Sequence, residues 1–453
     1  LGDSSPTRIV CRTGEPSDMD DLEIVSPETA RAVIVLAPRE DPDAEVIKTL
    51  LALLNNPERP ATPYNIVAEL RSSESLEVAR IVGRDEACFV LEEEIIPRIT
   101  AQTCRQTGLS LVYAELLDFD GDEIYFAEEP LLEGKTYRDA LKAYDDSAVM
   151  GLWTPAQGAR LNPPMDTPIA PGDRIIAISE DDDTLRVTNA LVPVEESALR
   201  RLPRAPERPE RFLLLEWNRR GIALIRELDN YVPQGSSLDV VTLHLQASDM
   251  LEELKPGLQR LRVSLRAGDP TERALLNDLD LPEYDHVLLL SRSDDLPSQK
   301  ADARTLITLL HLRDIGEKQG RRFSLVSEMR DLRNRDLAEV ARVNDFIVSS
   351  HLGSLLLAQL AENRHLAPVF NDLFDAGGAE IYLHPVEAYV ETGRLMTFYH
   401  ALESAARRQE TALGYRKASA AEDPEQNYGV VLNPKKSDPV VFEPGDRLIV
   451  LAE

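Results

Sequence analysis

The chain has 453 residues, with 50 Lys and Arg against 79 Asp and Glu and a formal net charge of −29. That length calls for more than one core, and that charge excludes a nucleic-acid binder, which needs clustered cations to neutralise phosphates. No apolar run approaches the ~18 residues of a spanning helix, and Cys11, Cys88 and Cys104 are too few and too scattered for a disulfide framework.

In chain order, short apolar runs at Arg8–Arg12, Ala32–Ala37, Asn65–Leu70 and Ala87–Leu91 read as strands, with a helix over Ala44–Leu54. Glu93–Leu117 is helical, Glu123–Ala127 is a strand, and Arg174–Ser179 is a strand entered through the turn Pro171-Gly172-Asp173. A linker rich in Asp, Glu, Arg and Pro covers 181–210. Strands follow at Arg211–Trp217, Leu238–Leu245, Arg262–Leu265, His286–Ser291, Phe323–Glu328 and Asp345–Ser349. Between them lie helices Gly221–Tyr231, Asp249–Leu254, Thr271–Leu279 and Lys300–Ile315. Leu352–Phe374 is again helical, and Glu380–His384 and Arg447–Leu451 are strands.

The second half repeats the first. Arg12-Thr13-Gly14-Glu15-Pro16 returns as Arg266-Ala267-Gly268-Asp269-Pro270, Glu123-Ile124-Tyr125-Phe126 as Glu380-Ile381-Tyr382-Leu383, and Pro171-Gly172-Asp173-Arg174 as Pro444-Gly445-Asp446-Arg447. Copy two has two strand–helix pairs before its Arg-x-Gly-x-Pro signal; copy one joins at the third strand, Arg8–Arg12. Short apolar strands alternating with helices define a doubly wound parallel sheet. The expected fold class is therefore α/β: a duplicated Rossmann-like sheet, each copy followed by a small α+β C-terminal subdomain. The expected boundaries are 1–92, a partial first sheet; 93–122, crossover helices; 123–180, the first small subdomain; and 181–210, the linker. Then come 211–350, the second sheet; 351–379, crossover helices; and 380–453, the second small subdomain. A chain that opens on Leu, inside its first sheet, reads as a cytosolic piece of something longer.

This plan resembles the RCK domains (regulators of potassium conductance), whose marks in the small unit are Leu132-Glu133-Gly134-Lys135-Thr136, Asn162-Pro163-Pro164 and Pro171-Gly172-Asp173. Within that family it is similar to the CASTOR/POLLUX channels, through Arg31–Ala37, Glu180–Thr184, Ala301–Leu306, Asn344–Ser349, Asn371–Phe374 and Gly414-Tyr415-Arg416. The resemblance implies a homotetramer with eight domains in a gating ring, on the cytoplasmic face of a membrane. Transmembrane pore helices would lie upstream of Leu1, and ligand binding would shift the ring between conformations. Two other readings are a separate regulatory subunit of a potassium transporter and a nucleotide-binding oxidoreductase. The second lacks an intact glycine loop, G-x-S-x-G, H-E-x-x-H and a P-loop, so the chain is not expected to be an enzyme.

Where a dinucleotide fold needs G-x-G-x-x-G, copy two has Glu216-Trp217-Asn218-Arg219-Arg220-Gly221. Asn218 and Arg219 are the residues placed to touch a nucleotide, but Trp217 crowds the phosphates and nucleotide binding is not expected. Calcium, which wants six to eight oxygens, is the ligand the resemblance implies. Candidate ligands are Asp118, Asp120 and Asp122, spaced as in an EF-hand loop but lacking its glycine; Glu180, Asp181, Asp182 and Asp183; and Asp294 and Asp295, past the fourth strand of copy two. A polar turn explains the first set, and a solvated charge run the second. The third pair could equally face a neighbouring subunit.

Overall fold

Two compact units divide the chain, one of residues 1–94 with 353–367 and the other of 95–352 with 368–453. The computed structural model describes residues 8–57, 59, 61–119, 121–188, 193–203, 206–320, 323–334, 337 and 345–452. Asp120 and Asn344 lie outside that set.

The first unit holds α1 (Met19–Glu23), β1 (Val33–Val35), α2 (Pro42–Asn55), β2 (Ile66–Leu70), α3 (Leu76–Gly83) and β3 (Ala87–Leu91), the strands forming a three-stranded parallel sheet in the order β1-β2-β3. Val46, Leu50 and Leu53 on one face of α2 close over Ile66, Ala68 and Leu70, the i, i+4, i+7 spacing of a helix laid on a sheet. Asp43 in the first turn of α2 accepts hydrogen bonds from the backbone of Arg71 (2.8 Å) and Ser72 (3.0 Å), pinning helix to strand end. The expected strand Arg8–Arg12 is not formed. Ile9 and Val10 are 56% and 51% exposed, and no ladder joins them to β1. A strand without cross-strand pairs has little to hold it. Copy one therefore enters the common plan at its fourth strand, not its third.

The second unit begins within α4 (Glu92–Arg105) and continues through α5 (Leu109–Leu117) to the first small subdomain: β4 (Glu123–Ala127), α6 (Tyr137–Ala143), β5 (Ala148–Thr154), β6 (Gly158–Leu161) and β7 (Arg174–Ser179), in an antiparallel sheet ordered β4-β7-β5-β6. Its large sheet comprises β8 (Arg211–Leu215), α7 (Gly221–Tyr231), β9 (Ser236–Thr242), α8 (Ala247–Leu254), β10 (Leu261–Ala267), α9 (Arg273–Asn277), β11 (His286–Leu289), α10 (Ser298–Gln319), β12 (Ser324–Met329) and β13 (Asp345–Val348). The strand order β10-β9-β8-β11-β12-β13, parallel throughout, is the doubly wound order with its reversal between β8 and β11.

After α11 (Ser349–Glu362) and α12 (Leu366–Phe374), the second small subdomain repeats the first. It has β14 (Glu380–Pro385), β15 (Leu395–Thr397), α13 (Phe398–Ala406), β16 (Thr411–Arg416), β17 (Val430–Leu432), β18 (Pro439–Val441) and β19 (Arg447–Ala452), in the order β14-β19-β16-β17 with a ribbon β15-β18. The two small subdomains share one apolar core, with Tyr137, Tyr144 and Ile175 from the first meeting Phe398, Leu402, Phe442 and Val450 from the second.

The expected linker is partly structured. Arg200 donates its backbone N–H to Tyr389 (2.7 Å), Glu391 donates to the carbonyl of Ala198 (2.8 Å), and Ala198 is fully buried. Glu195–Arg394 and Glu196–Arg407 ion pairs flank this contact. Residues 195–202 are thus a strap on the second small subdomain. Its charge-rich composition reads as a linker because the pairing partners lie nearly two hundred residues away.

Candidate functional site

At the carboxyl edge of the second sheet, the four apolar residues Phe212–Leu215 are fully buried and deliver the chain to the turn Glu216–Gly221. Glu216 has φ +65°, the left-handed conformation that a glycine takes most readily. A glutamate thus takes a glycine-favoured conformation at the position of the fingerprint's first glycine. Trp217 is 1% exposed, and a Cβ on Gly221 would sit 3.0 Å from its indole. That glycine makes room for the ring.

The polar side chains of the turn are used internally. Asn218 is fully buried and donates through Nδ2 to the carbonyl of Ser291 (2.8 Å) and to Glu328 (2.8 Å). Arg220 forms a buried ion pair with Glu328, which also accepts from the Ser291 backbone (3.2 Å). The Glu328 carboxylate, at the end of β12, lies where a strand-end anion would meet these donors. Arg304 on α10 bridges Glu216 (3.0 Å) and Asp269 (2.7 Å). Burial pushes the Glu216 carboxyl up in pKa against the pull of Arg304. At Asp269 burial also pushes up, but hydrogen bonds from Arg304 and Thr271 hold the carboxyl below its ordinary value.

Arg219 donates its backbone N–H to Asp294 (2.6 Å), and its guanidinium stands 3.8 Å from the same carboxylate. Asp295 pairs with Arg292 at 2.9 Å. The two aspartates thus lie at the sheet edge with arginines as their partners.

The acidic sets of the first small subdomain meet. Antiparallel pairing of Glu123 with Ser179 puts Asp122 beside Glu180, although the two are far apart in sequence. Burial raises the Asp122 carboxyl pKa, a hydrogen bond from Asn433 opposes this, and Glu180 adds to the rise. Glu115 on α5 is raised by burial and by Asp118 and Asp122, while Asn427 donates to it at 2.7 Å. Asp118 ends α5 and accepts from the Phe119 backbone (2.7 Å). Asp181 caps the turn Asp182–Thr184, and Asp182 and Asp183 point to solvent. The turn leads into strand β4, not into the second helix of an EF-hand. Sequence reading found both acidic runs but missed Glu115 and Asn427; register of the two predicted strands was the signal that joins Asp122 to Glu180. Among the described residues no group of three or more His, Cys, Asp or Glu is arranged to hold a metal ion, and no helix is long and apolar enough to cross a membrane.

A three-stranded parallel sheet and a doubly wound one, each followed by helices and a small antiparallel unit, give the chain its tandem fold. The human SLO3 gating ring has the same fold, with a TM-score of 0.70 and 15% identity over 97% of this chain and 90% of that one. Residues 93–195 match the family model described as Castor and Pollux, part of voltage-gated ion channel. The chain is 29% identical to a probable ion channel CASTOR of Oryza sativa subsp. japonica over 461 residues, 92% of this chain and 51% of that protein. It is equally 29% identical to the ion channels CASTOR and POLLUX of Lotus japonicus, over 92% and 91% of this chain and 53% and 49% of theirs. The chain is thus similar in sequence to the CASTOR and POLLUX ion channels, and it spans about half the length of the curated relatives it matches. Those relatives are ion channels rather than enzymes.

Proposed function

We propose that the chain is the ligand-sensing, ring-forming part of a tetrameric cation channel of the potassium type, held at the cytoplasmic face of a membrane whose pore helices lie outside this segment. The collinear similarity to named ion channels across 92% of the chain carries this reading. Calcium is the ligand, sensed near the base of the first small subdomain, where strand register sets Asp122 beside Glu180. Two features support that place: strand register joins carboxylates from both acidic runs, and the Asp122 carboxyl is held up in pKa by burial and, to a lesser degree, by the neighbouring Glu180 charge, repulsion that a divalent cation relieves. Asp294 and Asp295 are less suited, since arginines already neutralise them. Trp217 and the Arg220–Glu328 pair occupy the nucleotide turn, which supports a mechanism without a nucleotide.

Binding must favour one ring conformation over another to move a gate. The test is calorimetric titration of the purified chain with calcium, with magnesium and NAD as parallel titrants and mass from light scattering. A tetramer with saturable calcium binding, lost in Asp122→Asn/Glu180→Gln, is the expected result. Calcium binding that survives the double substitution removes this place, and a monomer that binds only NAD removes the reading.

A further inference from the structure

The two small subdomains are clasped to each other by a pair of loops that occupy the same place in each repeat. Asn162-Pro163-Pro164-Met165 follows β6, and Asn433-Pro434-Lys435-Lys436 follows β17. Both asparagines have positive φ, 40° and 45°. Each donates from Nδ2 to a backbone carbonyl of the other subdomain, Asn162 to Gln409 (3.0 Å) and Asn433 to Asp146 (3.0 Å). Three residues further on the copies diverge. Met165 is 4% exposed; its counterpart Lys436 is 1% exposed.

A buried methionine is ordinary and a buried ammonium is not. The Lys436 Nζ donates to the carbonyls of Tyr144 (2.6 Å) and Ser147 in the first small subdomain. Its backbone N–H goes to the Asp145 carbonyl (2.9 Å). The Asp145 carboxylate is occupied by Ser437, through N (2.8 Å) and Oγ (2.6 Å), and by the Tyr399 hydroxyl (3.2 Å). Asp146 pairs with Lys435 at 3.3 Å. The charged and titratable groups facing Lys436 are therefore Asp145 and Asp146 with Lys435, Tyr144 and Tyr399. Its direct partners are carbonyl dipoles, which a neutral amine satisfies with the same two N–H bonds.

We propose that Lys436 makes the clasp between the two small subdomains proton-sensitive, docking as the neutral amine and loosening when acidification charges it. Burial, opposed by Asp145 and Asp146, brings its pKa down to about 7. A lysine lowered in this way releases its proton on docking between that value and its undocked value of 10.5. Docking therefore strengthens as pH rises through that window, about tenfold per unit, and is constant below it. Copy one, with Met165 in the same place, has no such response.

The test compares melting temperatures of the full chain and of Lys436→Met from pH 6 to 9. NMR of the unsubstituted chain, carrying 13C-labelled lysine, supplies a readout that needs no variant to fold. The expected result is a melting temperature that climbs from pH 7 to 9 relative to the Lys436→Met profile. One lysine resonance should titrate near neutrality and be absent from the variant. Parallel profiles, or lysines that all titrate above pH 9, overturn the proposal.

Discussion

The two sheets carry one plan to different depths. In the second, Asp302 on α10 accepts from the backbones of Arg330 and Asp331 (3.0 Å each); in the first, Asp43 does the same for Arg71 and Ser72. The same latch closes both. Two residues beyond it the copies part. Arg304 reaches Glu216 and Asp269, while its counterpart Glu45 pairs with Lys48 on its own helix. The central strands part in the same way: Leu288 on β11 and Leu290 just past it are 1% and 4% exposed, whereas Ile34 on β1 and Leu36 just past it are 47% and 63% exposed. Sequence sets the strand, but its neighbours decide whether the strand is core.

Breaking the buried Arg220–Glu328 pair should cost most. Glu328→Leu strands the Arg220 guanidinium and the Asn218 amide in a dry site, and a loss of about 3–5 kcal/mol in denaturant unfolding is expected. A loss under ~1 kcal/mol shows that the turn does not depend on its internal anion. Next, Leu288→Ala should cost about 3 kcal/mol against less than ~0.5 for Ile34→Ala. Equal costs would mean that β1 is covered in solution. Cutting the shared latch sharpens the comparison further. Asp302→Ala, at a fully buried carboxylate that also accepts from Asn334 (2.8 Å), should cost about 3 kcal/mol, and Asp43→Ala about half that.

A further effect is in pH. Asp345, which opens β13, is pushed up to about 6 by burial, against hydrogen bonds from Ser110 and Gly108. A raised carboxylate stabilises the fold below its unfolded value of 3.8 and loses that contribution as pH rises through about 6. Asp345→Asn should flatten the stability profile between pH 4 and 6; an unchanged slope assigns the dependence elsewhere.

Much of this organisation was legible in the residues. Apolar runs bounded by turn formers located β3, β4, β7, α7 and β13 to within a residue, because a buried strand and an amphipathic helix each leave a period in the sequence. Arg8–Arg12 misled because an apolar run records only a capacity to pair. The candidate site was legible in part: the altered nucleotide turn and both acidic runs stood out. The Arg220–Glu328 pair and the approach of Asp122 to Glu180 did not, since each joins residues that only the folded sheet brings together. Lys436 was invisible for the same reason, a charged residue in a polar loop giving no sign of burial.

The strap Glu195–Leu202 changes how force travels along the chain. A free segment between the repeats would behave as slack, to be drawn taut before any load passed. Pinned by the Arg200–Tyr389 and Glu391–Ala198 backbone bonds and two flanking ion pairs, the segment acts as strain relief. Any tension along the backbone would meet these bonds to the second small subdomain before it reached the first strand of the second sheet.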